Sequence, residues 1–327
     1  MTAQHSHGTQ HKHQHEDQHQ HHQHGHGAHN HHNIDWEAMA AHLEAEAELL
    51  SPFIESAADW LRRAITEAEA GANGDGADGA HGVRRVLDVG SGPGVVTCVL
   101  ARTFPYAETV AVDQGSGLLE RVAARAAEQG LGDRVRTRQA DLPAEFGALG
   151  SADVIWTSHV VHHLGDQQAA LESLAGVLRP GGLLAVVERG LPARFLPRDI
   201  GIGRPGLQAR LDAVVEDRFS EMRAELPGSV GVVEDWPGML AAAGLVPAGT
   251  RTFLTDHPAP LALSAREYLH THLTRLRDGV GEQLDAEDRE TLDRLVDGDA
   301  CTGILWRPDA FYATATTVHT ARAPHPG

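Results

Sequence analysis

Three acids and an alternating run of glycines carry the most specific chemistry in this chain. In Val86-Leu87-Asp88-Val89-Gly90-Ser91-Gly92-Pro93-Gly94, an apolar run holds an acid and leads into glycines at every second position. Glycine lets a backbone turn sharply and come close to a ligand. The spacing is GxGxG, whereas the dinucleotide fingerprint is GxGxxG, whose extra residue serves pyrophosphate binding at a helix start. A cofactor without phosphates fits better, and a nicotinamide-dependent oxidoreductase is disfavoured. Asp113 stands nineteen residues after Gly94, at the end of the next apolar run. A doubly wound fold places there a carboxylate that accepts from two ribose hydroxyls. Asp141, in Gln139-Ala140-Asp141-Leu142, closes a third run and could accept from an adenine amino group.

Two later strand ends add groups that could move a proton. His159, His162 and His163 follow a fourth apolar run, and Glu188 closes a fifth in Val186-Val187-Glu188-Arg189. If the acceptor is a hydroxyl, a base that removes its proton contributes roughly 10²–10⁴ in rate.

The elements that must hold these groups are legible from hydrophobic periodicity. Strands are expected at 85–89, 109–112, 135–139, 154–157 and 183–187, and helices near 95–103, 117–129 and 166–178. Asp166 caps the last of these helices, and Pro180-Gly181-Gly182 stops it. Strands alternating with crossover helices predict a doubly wound parallel sheet. Before it, Asp35 is placed to cap a helix carrying Trp36, Met39, Leu43 and Leu50, and a second helix is expected from Pro52 to about Ile65. Residues 34–70 therefore read as a helical cap and the Gly-rich residues 71–82 as a linker. After residue 190 the alternation breaks. Further strands are expected near 248–255 and 311–320, and helical segments at 198–226 and 264–297 read as insertions that shape a substrate pocket.

With these residues in place, the stretch 83–190 resembles the class I S-adenosylmethionine-dependent methyltransferases. Asp88 with Gly90, Gly92 and Gly94 resembles that family's first motif, Asp113 its ribose acid and Asp141 its adenine-side acid. Residues 152–164, Ala-Asp-Val-Ile-Trp-Thr-Ser-His-Val-Val-His-His-Leu, resemble its fourth strand and the turn after it, and Leu178-Arg179-Pro180-Gly181-Gly182 the turn before its fifth strand. The resemblance implies an α/β, Rossmann-like, doubly wound seven-stranded sheet whose last strand is antiparallel. The cofactor-binding set it implies is Asp88, Gly90, Ser91, Gly92, Gly94, Asp113, Gln114, Asp141, Leu142 and Ser158. In similar small-molecule O-methyltransferases, a histidine of the His-His pair and an acid after strand five form a base and its orienter. His159, His162, His163 and Glu188 are thus the catalytic candidates. No Asn-Pro-Pro-aromatic or Asp-Pro-Pro-aromatic tetrapeptide follows strand four and no Pro-Cys nucleophile is present. That argues against methylation of exocyclic amines and of cytosine C5. The expected activity is methyl transfer to a small molecule at oxygen; the alternative is a non-catalytic metal-binding or regulatory protein that keeps the fold.

Composition bounds the rest. The 327 residues carry 27 Lys and Arg against 45 Asp and Glu, a formal charge of −18. A body this acidic repels phosphate backbones, so nucleic acid is not an expected partner. No run approaches the roughly 18 apolar residues of a membrane span. Residues 1–33 lack the apolar stretch of a secretory signal, and Cys98 and Cys301 make no disulfide framework, so a cytoplasmic protein is expected, with monomer and homodimer both left open. The first 32 residues hold 13 of the 23 histidines among Gln, Gly and Asn. Such a segment cannot bury enough surface to order itself. Its clustered imidazoles, His11, His13, His15, His19, His21, His22, His24 and His26, form a candidate site for Ni or Zn.

Overall fold

The computed structural model describes residues 38–73 and 82–325. The histidine-rich segment with its eight candidate ligands, Asp35, Trp36 and most of the expected linker lie outside the described residues. Five parallel strands, β1 (Arg85–Val89), β2 (Glu108–Asp113), β3 (Val135–Gln139), β4 (Ala152–Ser158) and β5 (Leu178–Arg194), join two later ones, β6 (Val246–His257) and β7 (Tyr312–Arg322). The seven form one sheet in the order β3-β2-β1-β4-β5-β7-β6, with β7 antiparallel to both of its neighbours.

Helices α1 (Ala40–Leu49) and α2 (Ser51–Asn73) precede the sheet. Within it lie α3 (Val95–Thr103), α4 (Ser116–Glu128) and α5 (Gln167–Gly176). Between β5 and β6 come α6 (Leu207–Glu225) and α7 (Trp236–Ala242), and between β6 and β7 come α8 (Leu263–Val280) and α9 (Ala286–Leu295).

Side chains alternate between the two faces of a strand, so a sheet covered on both sides needs apolar residues at every position. The central strands meet that demand. Val86, Val154, Trp156, Leu183 and Val187 pack in one core with Phe53, Leu61 and Leu100 of α2 and α3. Their neighbours Leu87, Val89, Ile155, Leu184 and Val186 pack in a second with Leu171, Leu174 and Leu240 of α5 and α7. A third core, built from Leu49, Phe195, Leu211, Leu269, Leu273 and Leu292, ties α1, α6, α8 and α9 into a helical layer.

Several boundaries differ from expectation for local reasons. The first described helix begins at Ala40 with Met39 at its cap position and no side-chain cap. Helix α2 runs to Asn73, into the expected linker, because its Glu and Ala residues are good helix formers. Asp166 caps α5 as expected, accepting from Ala169 N at 2.9 Å. That helix ends at Gly176, however, and Pro180-Gly181-Gly182 lies within β5 rather than at the helix stop. Strand β5 continues to Arg194 because β7 supplies a partner at Leu191↔Ala315 and Arg194↔Ala313, a pairing no local pattern announces. Helix α6 starts at Leu207 instead of 198, after a glycine-rich loop, and α7 was not expected; its Asp235 cap accepts from Gly238 N.

Candidate active site

The glycine loop, the strand-end acids and the histidine turn gather at the carboxyl edge of the parallel strands, where open α/β sheets bind ligands. Gly90 and Ser91 donate their N–H groups to Val112 O at 2.8 and 3.0 Å, which lashes the loop after β1 to β2. Gly90 has φ +72°, and a Cβ there would strike Val160 Cγ2 at 2.1 Å. Gly92, at φ +52°, has nothing within 4 Å of where a Cβ would stand, so its backbone borders open space. Beside it the Ser91 hydroxyl is buried and has no hydrogen-bond partner among the described residues.

Asp113 organises this loop. Its Oδ2 accepts from Gly92 N and its Oδ1 from Gly115 N, both at 2.9 Å. Each carboxylate oxygen keeps a second lone pair. Asp88 occupies a different environment: it shares a strand face with Val86, is buried, and accepts from Thr97 Oγ1 of α3 at 2.6 Å. Burial pushes its carboxyl up to about 7, partly offset by the Thr97 hydroxyl. Gln114 and Asp141 are exposed just past β2 and β3, Leu142 follows Asp141, and Ser158 ends β4 half-buried.

The four catalytic candidates divide. Glu188 is buried at the level of the turn after β4, and its Oε1 accepts from Val161 N at 2.9 Å. Its Oε2 lies 2.5 Å from His162 Nδ1, and His162 Nε2 faces His163 Nε2 at 3.0 Å. Burial raises Glu188 to about 7, opposed chiefly by the nearby His159. Burial, reinforced by His162, drives His163 down to about 3, so that ring is neutral at physiological pH. His162 and Glu188 thus meet in a hydrogen bond inside the protein. His159 is the exposed member of the group, and its φ of +54° is the one left-handed non-glycine conformation among the described residues. Nitrogen and oxygen atoms of His159, His162 and Glu188 lie within 4.8 Å of one another. The 2.5 Å contact between His162 and Glu188 is a hydrogen bond. It is shorter than the roughly 3.3 Å that two tetrahedral ligands at about 2.0–2.1 Å from one ion keep between them.

A cavity of about 310 Å³ opens beside His159, walled by β5, β7, α1, α6 and α8. The residues lining it that sequence reasoning did not single out as functional include Glu46, Gln208, Tyr268, His272 and Tyr312. Tyr268 Oη donates to Glu46 Oε1 at 3.1 Å. Gln208 closes one wall, accepting from the N–H groups of Phe195 and Leu196 at 3.1 and 2.9 Å. The spacing of Tyr268 and His272 one helical turn apart is the only trace of this set that the sequence offers.

The family profile described as "Methyltransferase domain" matches residues 87–184, from β1 into β5. A trans-aconitate 2-methyltransferase of Methylobacterium nodulans is 31% identical over 212 residues, spanning 62% of this chain and 71% of the relative. The chain belongs to the class I S-adenosylmethionine-dependent methyltransferases. Another relative, a ubiquinone biosynthesis O-methyltransferase of Parvibaculum lavamentivorans, is 37% identical over 111 residues, 33% of this chain and 42% of that protein. A solved structure, the geranyl diphosphate C-methyltransferase of Streptomyces coelicolor, aligns with TM-score 0.40 at 15% identity, covering 73% of this chain and 69% of that one. The chain spans about half the length of several other curated relatives it matches. The matched profile ends inside β5, so α6, α8 and β7, which wall the cavity, lie beyond it.

Proposed function

We propose that this protein transfers a methyl group from S-adenosylmethionine to an oxygen of a small molecule held in the cavity, with His159 taking the proton. The observation that carries the reading is His159 itself: a strained, exposed imidazole that lines the cavity directly after β4, within 4.8 Å of the Glu188 carboxylate. Left-handed conformations of residues other than glycine cost energy and persist where the surroundings impose them, often at functional sites.

The residues of the glycine loop fit the cofactor. The open space at Gly92, the unpartnered Ser91 hydroxyl and the spare lone pairs of Asp113 support a nucleoside bound against this loop. Gln114, Asp141, Leu142 and Ser158 border the same edge and complete the proposed set, while Asp88 acts from beneath by fastening α3 through Thr97. S-adenosylmethionine, when bound, supplies an electrophilic methyl on a sulfonium sulfur. Alignment of the acceptor oxygen with that methyl lowers the barrier by roughly 7–11 kcal/mol, and the cavity walls supply it. With the cofactor bound, the acceptor's hydroxyl proton would pass to His159 Nδ1 or Nε2 as the methyl moves from sulfur to oxygen, and the Glu188 carboxylate would stabilise the resulting imidazolium. The word O-methyltransferase in the name of the Parvibaculum lavamentivorans relative supports oxygen as the target.

The test is S-adenosylhomocysteine release from the full chain offered a library of small hydroxyl compounds. His159→Ala should lose roughly 10²–10⁴ in turnover at unchanged cofactor affinity. Asp113→Ala should weaken S-adenosylmethionine binding by at least about tenfold, since each charged hydrogen bond it makes contributes roughly 1.5–3 kcal/mol. Turnover in His159→Ala equal to the parent would remove the base from the mechanism.

A further inference from the structure

The cavity follows the β5–β7 ladder away from His159. Glu188 stands opposite Thr317, and Tyr312, which also lines the cavity, lies five residues along β7 from that level. At roughly 3.3 Å per strand residue this is up to about 17 Å. At the Tyr312 end, the Tyr312 ring packs edge-on against Tyr268 with centroids 6.3 Å apart, and Tyr268 donates to Glu46.

The charge inventory of this end is one-sided. Glu46, Asp212 and Glu216 line the cavity, and no Lys or Arg does among the described residues. Asp212 is already paired with Arg194. On α1, Glu44 bridges to Arg121 and Arg125, and Glu48 to Arg125. Glu46 alone turns to the cavity, and no ion pair to it is found among the described residues. Its carboxyl is pushed up by burial, and His272 nearby is pushed down to about 4 by burial, so no histidine there offsets the acid at neutral pH. Carboxyl groups withdrawn from water are ordinarily paired or hydrogen-bonded throughout, and half-buried Glu46 retains acceptor capacity facing the cavity. The rings of Tyr268, Tyr312 and Phe195 around it add faces that attract a cation.

We infer that the acceptor is a cationic amine, its ammonium group seated against Glu46 and the Tyr268–Tyr312 pair while its nucleophilic oxygen lies beside His159. An ammonium there favours the ionised Glu46 carboxylate against the burial that favours its neutral form, whereas a carboxylate would set two acids against each other out of water and a neutral group would do nothing to offset that burial. The position of the oxygen rests on the methyl-transfer reading; the seat for the ammonium does not.

The probes are tyramine, 3-(4-hydroxyphenyl)propanoate and 4-ethylphenol, which share a phenol and differ in charge at the other end; they test the ammonium seat and need not reach His159. They are titrated by calorimetry into the full chain saturated with S-adenosylhomocysteine, whose own affinity is measured first. Tyramine should bind at least about tenfold tighter than either of the others. Glu46→Gln keeps the size and the acceptor for Tyr268 and should bring the three within about twofold at unchanged S-adenosylhomocysteine affinity. Propanoate or ethylphenol binding as tightly as tyramine, a tyramine dissociation constant weaker than about 1 mM, or a preference that survives in Glu46→Gln overturns the inference. Should the variant fail to fold, the ranking in the parent chain decides. A chain that ranks the probes as expected without binding S-adenosylhomocysteine keeps the amine seat and loses methyl transfer; one that binds the cofactor product and favours the propanoate does the reverse.

Discussion

Glu188 is the residue on which the proposed proton transfer depends most sharply. Burial holds its carboxyl near 7, and a protonated His159 favours the ionised form. The reciprocal holds: only the carboxylate, present above about pH 7, stabilises an imidazolium at His159. Turnover should therefore climb with pH through a limb near 7 in the parent enzyme. In Glu188→Gln, which still accepts from Val161 N, that limb should vanish and turnover should fall by about tenfold or more while cofactor affinity stays constant. A pH–rate profile of kcat for the two proteins checks it, and an unchanged limb in the variant would assign the titration to another group. The sequence set His159, His162, His163 and Glu188 after apolar runs, and the structure brings them near one another, with Glu188 inside β5 rather than at its end. The sequence could not say which histidine faces the cavity. That depends on the left-handed turn at His159, which sends His162 inward to Glu188 and leaves His159 outside.

At the scale of elements, the insertion between β5 and β6 does more than roof the cavity. Arg223 near the end of α6 donates to His162 O at 2.8 Å, to Leu164 O at 2.6 Å and to Gly165 O at 3.4 Å, pinning the histidine turn from outside. Burial depresses the guanidinium's pKa, though it stays charged at any physiological pH. Hydrogen bonds from a charged donor contribute roughly 1.5–3 kcal/mol each. Arg223→Met should thus destabilise the chain by about 2–4 kcal/mol in urea unfolding, and slow turnover more than it weakens S-adenosylmethionine binding. Equal losses in both constants would mean that the turn serves the cofactor loop instead. The strands and helices from 85 to 176 were legible to within a residue or two, since their periodicity is local. After β5, all elements but α7 were legible as helices or strands, and the insertions as pocket-forming, but the side chains that line the cavity were not. Glu46 lies more than two hundred residues before Tyr268 and Tyr312, and the docking of α1 on α8 brings Glu46 to Tyr268.

For the whole molecule, the buried acid under the glycine loop couples folding to pH. The Asp88 carboxyl titrates near 7 in the folded chain and near 3.8 in the unfolded one. Between those values the folded state holds a proton that the unfolded state has lost, so this group makes stability fall as pH rises. Asp88→Asn cannot titrate and still accepts from Thr97. In the absence of cofactor its stability should gain on the parent's between pH 4.5 and 7 by a few kcal/mol at order of magnitude, read from urea midpoints. Parallel profiles would show that Asp88 is ionised in the fold. The strand order has a consequence of another kind, for the protein as it is being made. β6 is synthesised some fifty residues before β7, yet β7 is its sole neighbour in the sheet and also covers the outer edge of β5. While the intervening helices leave the ribosome, two strand edges with unpaired N–H and C=O groups wait in solution, the circumstance in which nascent chains pair with one another. β6 has no strand to pair with until the codons for 312–322 have been read, so production of this protein in cells should be governed by what shields those edges during translation.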